Sequence, residues 1–268
     1  APQSVRKITA VRCTLRRIKQ GPGDHGNGFI TWMSKKIVVI NSKGGCGKTT
    51  LSTNLASYYA AHGCPAALFD YDPQDSATRW LAQRPAGMAH IHGVAAAHPP
   101  EANVTRSFQM RVPPETRRLV LDTPASLKRM ELIEILRGAA AVIVPILPST
   151  IDSHVTAAFI RDLETELRMH APGASVAIVA NRVRRNTRAF QALLRFLEAS
   201  GMAPVACLRD SQNYVHASAE GIGIHDMKAH ATRIDREHWQ PLIDWLETPR
   251  LHESTGSCHT GEQQIVAG

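Results

Sequence analysis

The chain has 268 residues, 43% of them hydrophobic, a formal net charge of +8 and 5 cysteines. That length holds one sizeable core and predicts one domain. Cys13, Cys46, Cys64, Cys207 and Cys258 form no C-x-x-C pair, which argues against a disulfide framework, a zinc site or a cluster bridge and fits a reducing cytosol.

Most of the charge lies at the start. Arg6, Lys7, Arg12, Arg16, Arg17, Lys19, Lys35 and Lys36 face Asp24 alone, so the body is nearly neutral and a nucleic-acid surface has to be sought in local clusters. Residues 1 to 32 are basic, carry Gly21, Gly23, Gly26 and Gly28, and lack the continuous apolar core of a secretory signal. They are expected to be a disordered tail, or to lie upstream of a true start at Met33, in preference to a DNA- or lipid-binding arm.

From Met33 onward short β-branched runs alternate with longer amphipathic stretches, the pattern of helices crossing between parallel strands. Strands are expected at Lys36–Asn41, Ala66–Phe69, Arg118–Asp122, Ala141–Pro145, Ser175–Asn181 and Val205–Leu208. Most are apolar on consecutive residues, as when helices cover both faces. Helices are expected at Lys48–Ala61, Ser76–Gln83, Leu127–Gly138, Ile151–Met169, Thr187–Ser200 and Arg233–Glu247. The fold class is therefore α/β, a doubly wound, mostly parallel sheet with helices on both faces. The stretch Ala86–Pro114 reads as loop-rich. Its His90-Ile91-His92 alternation lacks a third ligand at a useful spacing and is not read as a metal site. The longest apolar run, Gly138–Leu147, is about half of the ~20 residues a spanning helix needs and reads as a buried strand. The tail from Leu251 is polar and expected to be disordered.

Lys43-Gly44-Gly45-Cys46-Gly47-Lys48-Thr49-Thr50 follows the first strand and runs into a helix. In that context glycines let backbone N–H groups cradle phosphate, and the helix aims its positive end at the same anion. Lys48 is expected to reach the β/γ-phosphates of a nucleotide and Thr49 to place its hydroxyl on Mg²⁺. Cys46 reads as a small tolerated side chain, not a nucleophile. Ser42 and Lys43 stand where the ordinary phosphate loop begins with glycine.

With Lys43 in that position, the loop resembles the deviant Walker A motif of the ParA/MinD ATPases. The resemblance extends over most of residues 34 to 230, and composition sets off a leader (1–32) and a tail (249–268) around an ATPase domain (33–248). It implies that Lys43 reaches across an ATP-sandwiched homodimer to the partner's phosphates. Asp70-Tyr71-Asp72-Pro73-Gln74 resembles the family's D-x-D-P-Q segment: Asp72 would orient the attacking water, while Asp70 supports the loop and the Mg²⁺ shell. Leu119-Val120-Leu121-Asp122-Thr123-Pro124 resembles Walker B, with Asp122 delivered to the Mg²⁺ water shell. Val144-Pro145-Ile146-Leu147-Pro148-Ser149 is similar to a family strand that supports the fold. Asn181 matches the asparagine that contacts adenine, and Arg209-Asp210 falls where a second base-contacting loop lies.

ParA-like members hold DNA non-specifically, whereas MinD-like members bind membranes through a C-terminal amphipathic helix. Leu251–Cys258 has neither a cationic face nor an apolar stripe, so no membrane partner is expected. Arg182, Arg184, Arg185, Arg188 and Arg195 cluster after the strand ending at Asn181. They could meet phosphates without reading bases, or be a solvated face. The resemblance implies an ATPase switch using ATP and Mg²⁺: a cytoplasmic, nucleoid-associated dimer whose hydrolysis a small adaptor of ParB-like role stimulates. Its cargo, a chromosome, a plasmid or a protein-based organelle such as a carboxysome, is not legible, with a lean toward a non-plasmid positioning factor. The alternatives are an amide-forming synthetase or metal-cluster scaffold of the same superfamily, and a reductase of the nitrogenase iron protein type.

Overall fold

The computed structural model describes residues 34–100, 102–148 and 153–248. The leader, Met33 and the tail from residue 249, together with the expectations placed on them, lie outside the described residues, as do Ser149 and Ile151. The chain runs β1 (Lys35–Val39), α1 (Lys48–Ala61), β2 (Ala66–Asp70), α2 (Ser76–Ala82), β3 (Ile91–Ala95), α3 (Arg106–Gln109), β4 (Arg118–Asp122) and α4 (Arg129–Leu136). It continues through β5 (Ala141–Ile146), α5 (Ser153–His170), β6 (Ser175–Val183), α6 (Arg188–Ala199), β7 (Ala206–Arg209), α7 (Gln212–Ala219) and α8 (Ala229–Glu247).

The described strands form one sheet in the order β3-β2-β4-β1-β5-β6-β7, and every pairing among them is parallel. Strand residues alternate between two cores. Ile37 and Val39 pack with Leu51 and Leu55 of α1, Trp80 of α2, and Trp239 and Leu242 of α8. Val38 and Ile40 pack with Leu136 of α4, Ile160 and Leu163 of α5, and Phe190 and Leu193 of α6. This division explains the consecutive apolar runs: each strand serves two faces, and all six residues of β5 are buried. The order reverses around β1, whose neighbours are β4 and β5, so the carboxyl end of β1 opens at the topological switch point where such sheets bind ligands.

One expectation is corrected, and one helix was not anticipated. The loop-rich stretch Ala86–Pro114 contains β3, paired with β2 in the register Ala66↔Ile91. As an edge strand it buries only Ile91 and Val94 of its five residues, which leaves too few apolar positions to signal a strand. The chain after Arg209 forms α7, capped by Ser211, whose Oγ accepts the Asn213 N–H at 3.3 Å. The last helix also starts earlier than expected, at Ala229, and accommodates Pro241 on its exposed side. Among the described residues no helix is long and apolar enough to cross a membrane.

A buried ion pair locks α1 in place. Arg84 Nη1 lies 2.9 Å from Asp226 Oδ2, with side-chain exposures of 6% and 3%. The same oxygen accepts the Ser57 hydroxyl of α1 at 2.6 Å and the Gly223 N–H at 2.9 Å. Removing one partner strands the other charge, so Arg84→Ala is expected to cost about 3–5 kcal/mol in urea unfolding. A loss below about 1 kcal/mol would mean that water reaches Asp226.

Candidate nucleotide-binding site

The loop after β1 is pinned at both ends. Buried Asn41 donates through Nδ2 to Pro145 O of β5 at 2.6 Å and accepts the Lys43 N–H on Oδ1 at 2.9 Å. At the far end Gly47 precedes α1 with φ 93°, a left-handed conformation open to glycine at little cost. A Cβ there would sit 2.2 Å from Asn181 Nδ2. The same amide donates to Cys46 O at 2.8 Å, and Asn181 Oδ1 accepts the Arg182 N–H at 2.9 Å. Asn181, expected to face adenine, thus braces the phosphate loop here.

Lys48 opens α1 with its ammonium turned into the loop, donating to Lys43 O at 3.2 Å. The Cys46 thiol donates to the same carbonyl at 3.2 Å, and burial pushes its pKa up, in keeping with an inert residue. The first turn of α1 holds no acidic side chain, so its positive end is left for an external anion.

Two carboxylates close the opposite side. Asp70 and Asp122 end the adjacent strands β2 and β4 as register partners, and both are buried. Asp70 accepts the Asp72 N–H at 3.1 Å and the Thr78 N–H at 2.8 Å, so both its oxygens shape the loop that carries Asp72. Asp122 Oδ1 accepts the Ser52 hydroxyl at 3.1 Å, while buried Oδ2 has no hydrogen-bond partner. Burial pushes the Asp122 pKa up to about 7; the Thr49 and Ser52 hydroxyls and Lys48 oppose the rise, and the Asp70 charge adds to it. A carboxylate held this way, with Thr49 beside it, fits Mg²⁺, which would supply the positive charge the pocket lacks. Asp72 is half-buried, and its Oδ1 accepts the Gln74 N–H at 3.0 Å.

The remaining predicted residues lie further along the same sheet edge. Arg209 forms a two-point pair with fully buried Asp235 of α8 at 2.6 and 2.9 Å. Asn213 Nδ2 donates to that carboxylate at 2.6 Å, which ties the β7–α7 turn to α8. Arg184 pairs with Asp210 at 2.6 Å. Arg182, Arg185 and Arg188 are exposed near it. Asn41, Ser52 and Asp235 were not anticipated. Ser52 could have been found, since it lies one helical turn after Lys48; Asp235 is too distant in sequence from Arg209 to leave a local signal.

Two measurements check this geometry. Gly47→Ala is expected to abolish ATP binding by calorimetry, because it combines a strained φ with the clash against Asn181; near-normal affinity would mean the loop relaxes. For Asp122, whose pKa is raised in the folded state, the folded protein keeps a proton that the unfolded chain releases. Stability of the nucleotide-free protein should therefore fall as pH rises from about 4 to about 7. Asp122→Asn should flatten that part of the profile in thermal melts; an unchanged slope would contradict the assignment.

Comparison with known proteins identifies the family of the chain. The family model described as the CobQ/CobB/MinD/ParA nucleotide binding domain matches residues 37–224. The chain is 30% identical over 214 residues to a maintenance of carboxysome distribution protein A from Gloeobacter kilaueensis, covering 79% of this chain and 93% of that protein. It is 48% identical over 50 residues to the chromosome-partitioning ATPase Soj of Thermus thermophilus, covering 19% of this chain and 20% of that one. Among solved structures, an ATP complex of a McdA variant from Cyanothece superposes with a TM-score of 0.59 at 14% identity, over 82% of this chain and 99% of that chain. The chain belongs to the ParA/MinD/CbiA superfamily of deviant Walker A P-loop ATPases, enzymes that hydrolyse ATP with Mg²⁺.

Proposed function

We propose that the chain is a dimerising ATPase switch that positions a protein-based cargo of the carboxysome kind on DNA. The observation that carries the cargo assignment is the extent of the two similarities. The match to the carboxysome distribution protein spans nearly all of that protein, whereas the match to Soj covers a short segment.

In this reading Lys43 completes the partner's phosphate site in an ATP-bound homodimer, Lys48 and the loop N–H groups hold the phosphates, and Thr49 and Asp122 hold Mg²⁺. Asp70 shapes the loop from which Asp72 positions the attacking water. Asn181 and the Arg209–Asp210 turn face the base once the nucleotide draws Asn181 from Cys46. The dimer holds DNA through Arg182, Arg184, Arg185 and Arg188 without reading sequence. A small adaptor of ParB-like role stimulates hydrolysis and so releases it, and no membrane takes part.

The DNA surface is tested by replacing Arg182, Arg184, Arg185 and Arg188 with Ala. Retention of non-specific duplex in ATP should drop at least about tenfold at moderate salt, with a shallower salt slope and unchanged basal ATPase. Undiminished retention would move the DNA face elsewhere. Loss of the chain in its host is expected to cluster or misplace the cargo under fluorescence microscopy while chromosome inheritance stays normal. A rise in anucleate cells with evenly spaced cargo would assign the chain to partition.

A further inference from the structure

We infer that His98 is a positioning residue for ATP hydrolysis: it reaches from the β3–α3 connection to Asp75 and fixes the turn that carries Asp72. The inference rests on the reading of Asp72 given above.

Asp75 stands directly before α2 with φ 52° and ψ 30°, a left-handed conformation that costs a non-glycine residue about 1 kcal/mol. Aspartate favours helix N-caps, yet its carboxylate makes no capping bond. It turns outward instead, with His98 Nε2 lying 2.8 and 2.9 Å from its two oxygens. Its backbone closes the catalytic turn: the Asp75 N–H donates to Asp72 O at 2.9 Å, and Asp75 O accepts the Arg79 N–H at 2.8 Å. The Asp72–Asp75 turn is therefore gripped from within by Asp70 and from outside by His98.

His98 is itself anchored. The Ala96 and Ala97 N–H groups donate to Asp70 O at 2.8 and 2.9 Å. Arg106 Nη1 and Gln109 Nε2 donate to His98 O at 3.0 and 3.3 Å, and Arg106 Nη2 donates to Ala96 O at 2.6 Å. The connection is thus fixed both to the strand end that bears Asp70 and to α3.

Exposure separates a structural role from a positioning one. The His98 and Asp75 side chains are 49% and 31% exposed, and exposed pairs of this kind contribute little to global stability. Misplacing a group that orients a reactant by about 1 Å can cost ~100-fold in rate. The effect of His98 should therefore appear in turnover and not in melting temperature.

The test is steady-state ATPase kinetics with melting temperatures for wild type, Asp72→Ala, His98→Ala, His98→Gln, Asp75→Gly and the His98→Ala/Asp75→Gly double variant. Asp72→Ala should be nearly inactive. His98→Ala should lose about tenfold in kcat while KM for ATP stays within about twofold. His98→Gln keeps an N–H at similar reach and should recover most of the rate. In the Asp75→Gly background, His98→Ala should cost nothing further. Wild-type kcat in His98→Ala beside an inactive Asp72→Ala overturns the inference alone. So does a loss that Gln does not restore and that adds in full to Asp75→Gly. Full activity in Asp72→Ala overturns the Asp72 reading, and the inference with it.

Discussion

Between the phosphate loop and the end of β6 there is room for a hydrogen atom and little more, since a Cβ on Gly47 would lie 2.2 Å from the Asn181 amide nitrogen. That closeness lets Asn181 hold Cys46 O while α1 starts at Lys48. From there the geometry propagates. Leu51 and Leu55 of α1 enter the core against β1, Ser52 meets Asp122, and Ser57 joins the clamp around Asp226. The helix whose amino end opens at the loop is thus held along its length by contacts to β1, to β4 and to the turn before α8.

Charge is distributed so that the site is incomplete on its own. Asp70 and Asp122 sit side by side at the ends of neighbouring strands, yet only Asp70 has both oxygens on backbone N–H groups. Asp122 is left buried with one oxygen unpartnered and with burial disfavouring its charge. A divalent cation bound there would relieve that cost. Across the loop, the amino end of α1 and Lys48 favour an anion. Cation and polyphosphate together would meet both requirements, which is the physical reason the proposed switch depends on nucleotide.

How much of this is legible beforehand depends on sequence distance. The phosphate loop, the Asp70–Gln74 segment and Asp122 are legible because strand, glycines, lysine and carboxylates stand within a few residues of one another. The inner strands are legible because burial on both faces leaves unbroken apolar runs. β3 is not, since an edge strand with half-buried His92 and exposed Gly93 carries a weak pattern. α7 is hidden because it buries only Ala217, which leaves no apolar stripe to mark a helical period. The long-range pairs leave no trace at all: Arg209 with Asp235, Arg84 with Asp226 and Asp75 with His98 each join elements that only the folded sheet brings together. Asn181 stands out by resemblance, but its bond to Cys46 belongs to the three-dimensional arrangement.

If nucleotide identity sets the association state through Lys43, mass in solution must follow the nucleotide. Sedimentation velocity of the chain with Mg²⁺ and a slowly hydrolysed ATP analogue, then with Mg²⁺ and ADP, tests this directly when Lys43→Ala is run alongside. The expected outcome is a dimer with the ATP analogue, a monomer with ADP, and a Lys43→Ala protein that stays monomeric while still binding nucleotide. A wild-type chain with the same mass in both nucleotides, or a Lys43→Ala variant that dimerises normally, would contradict it.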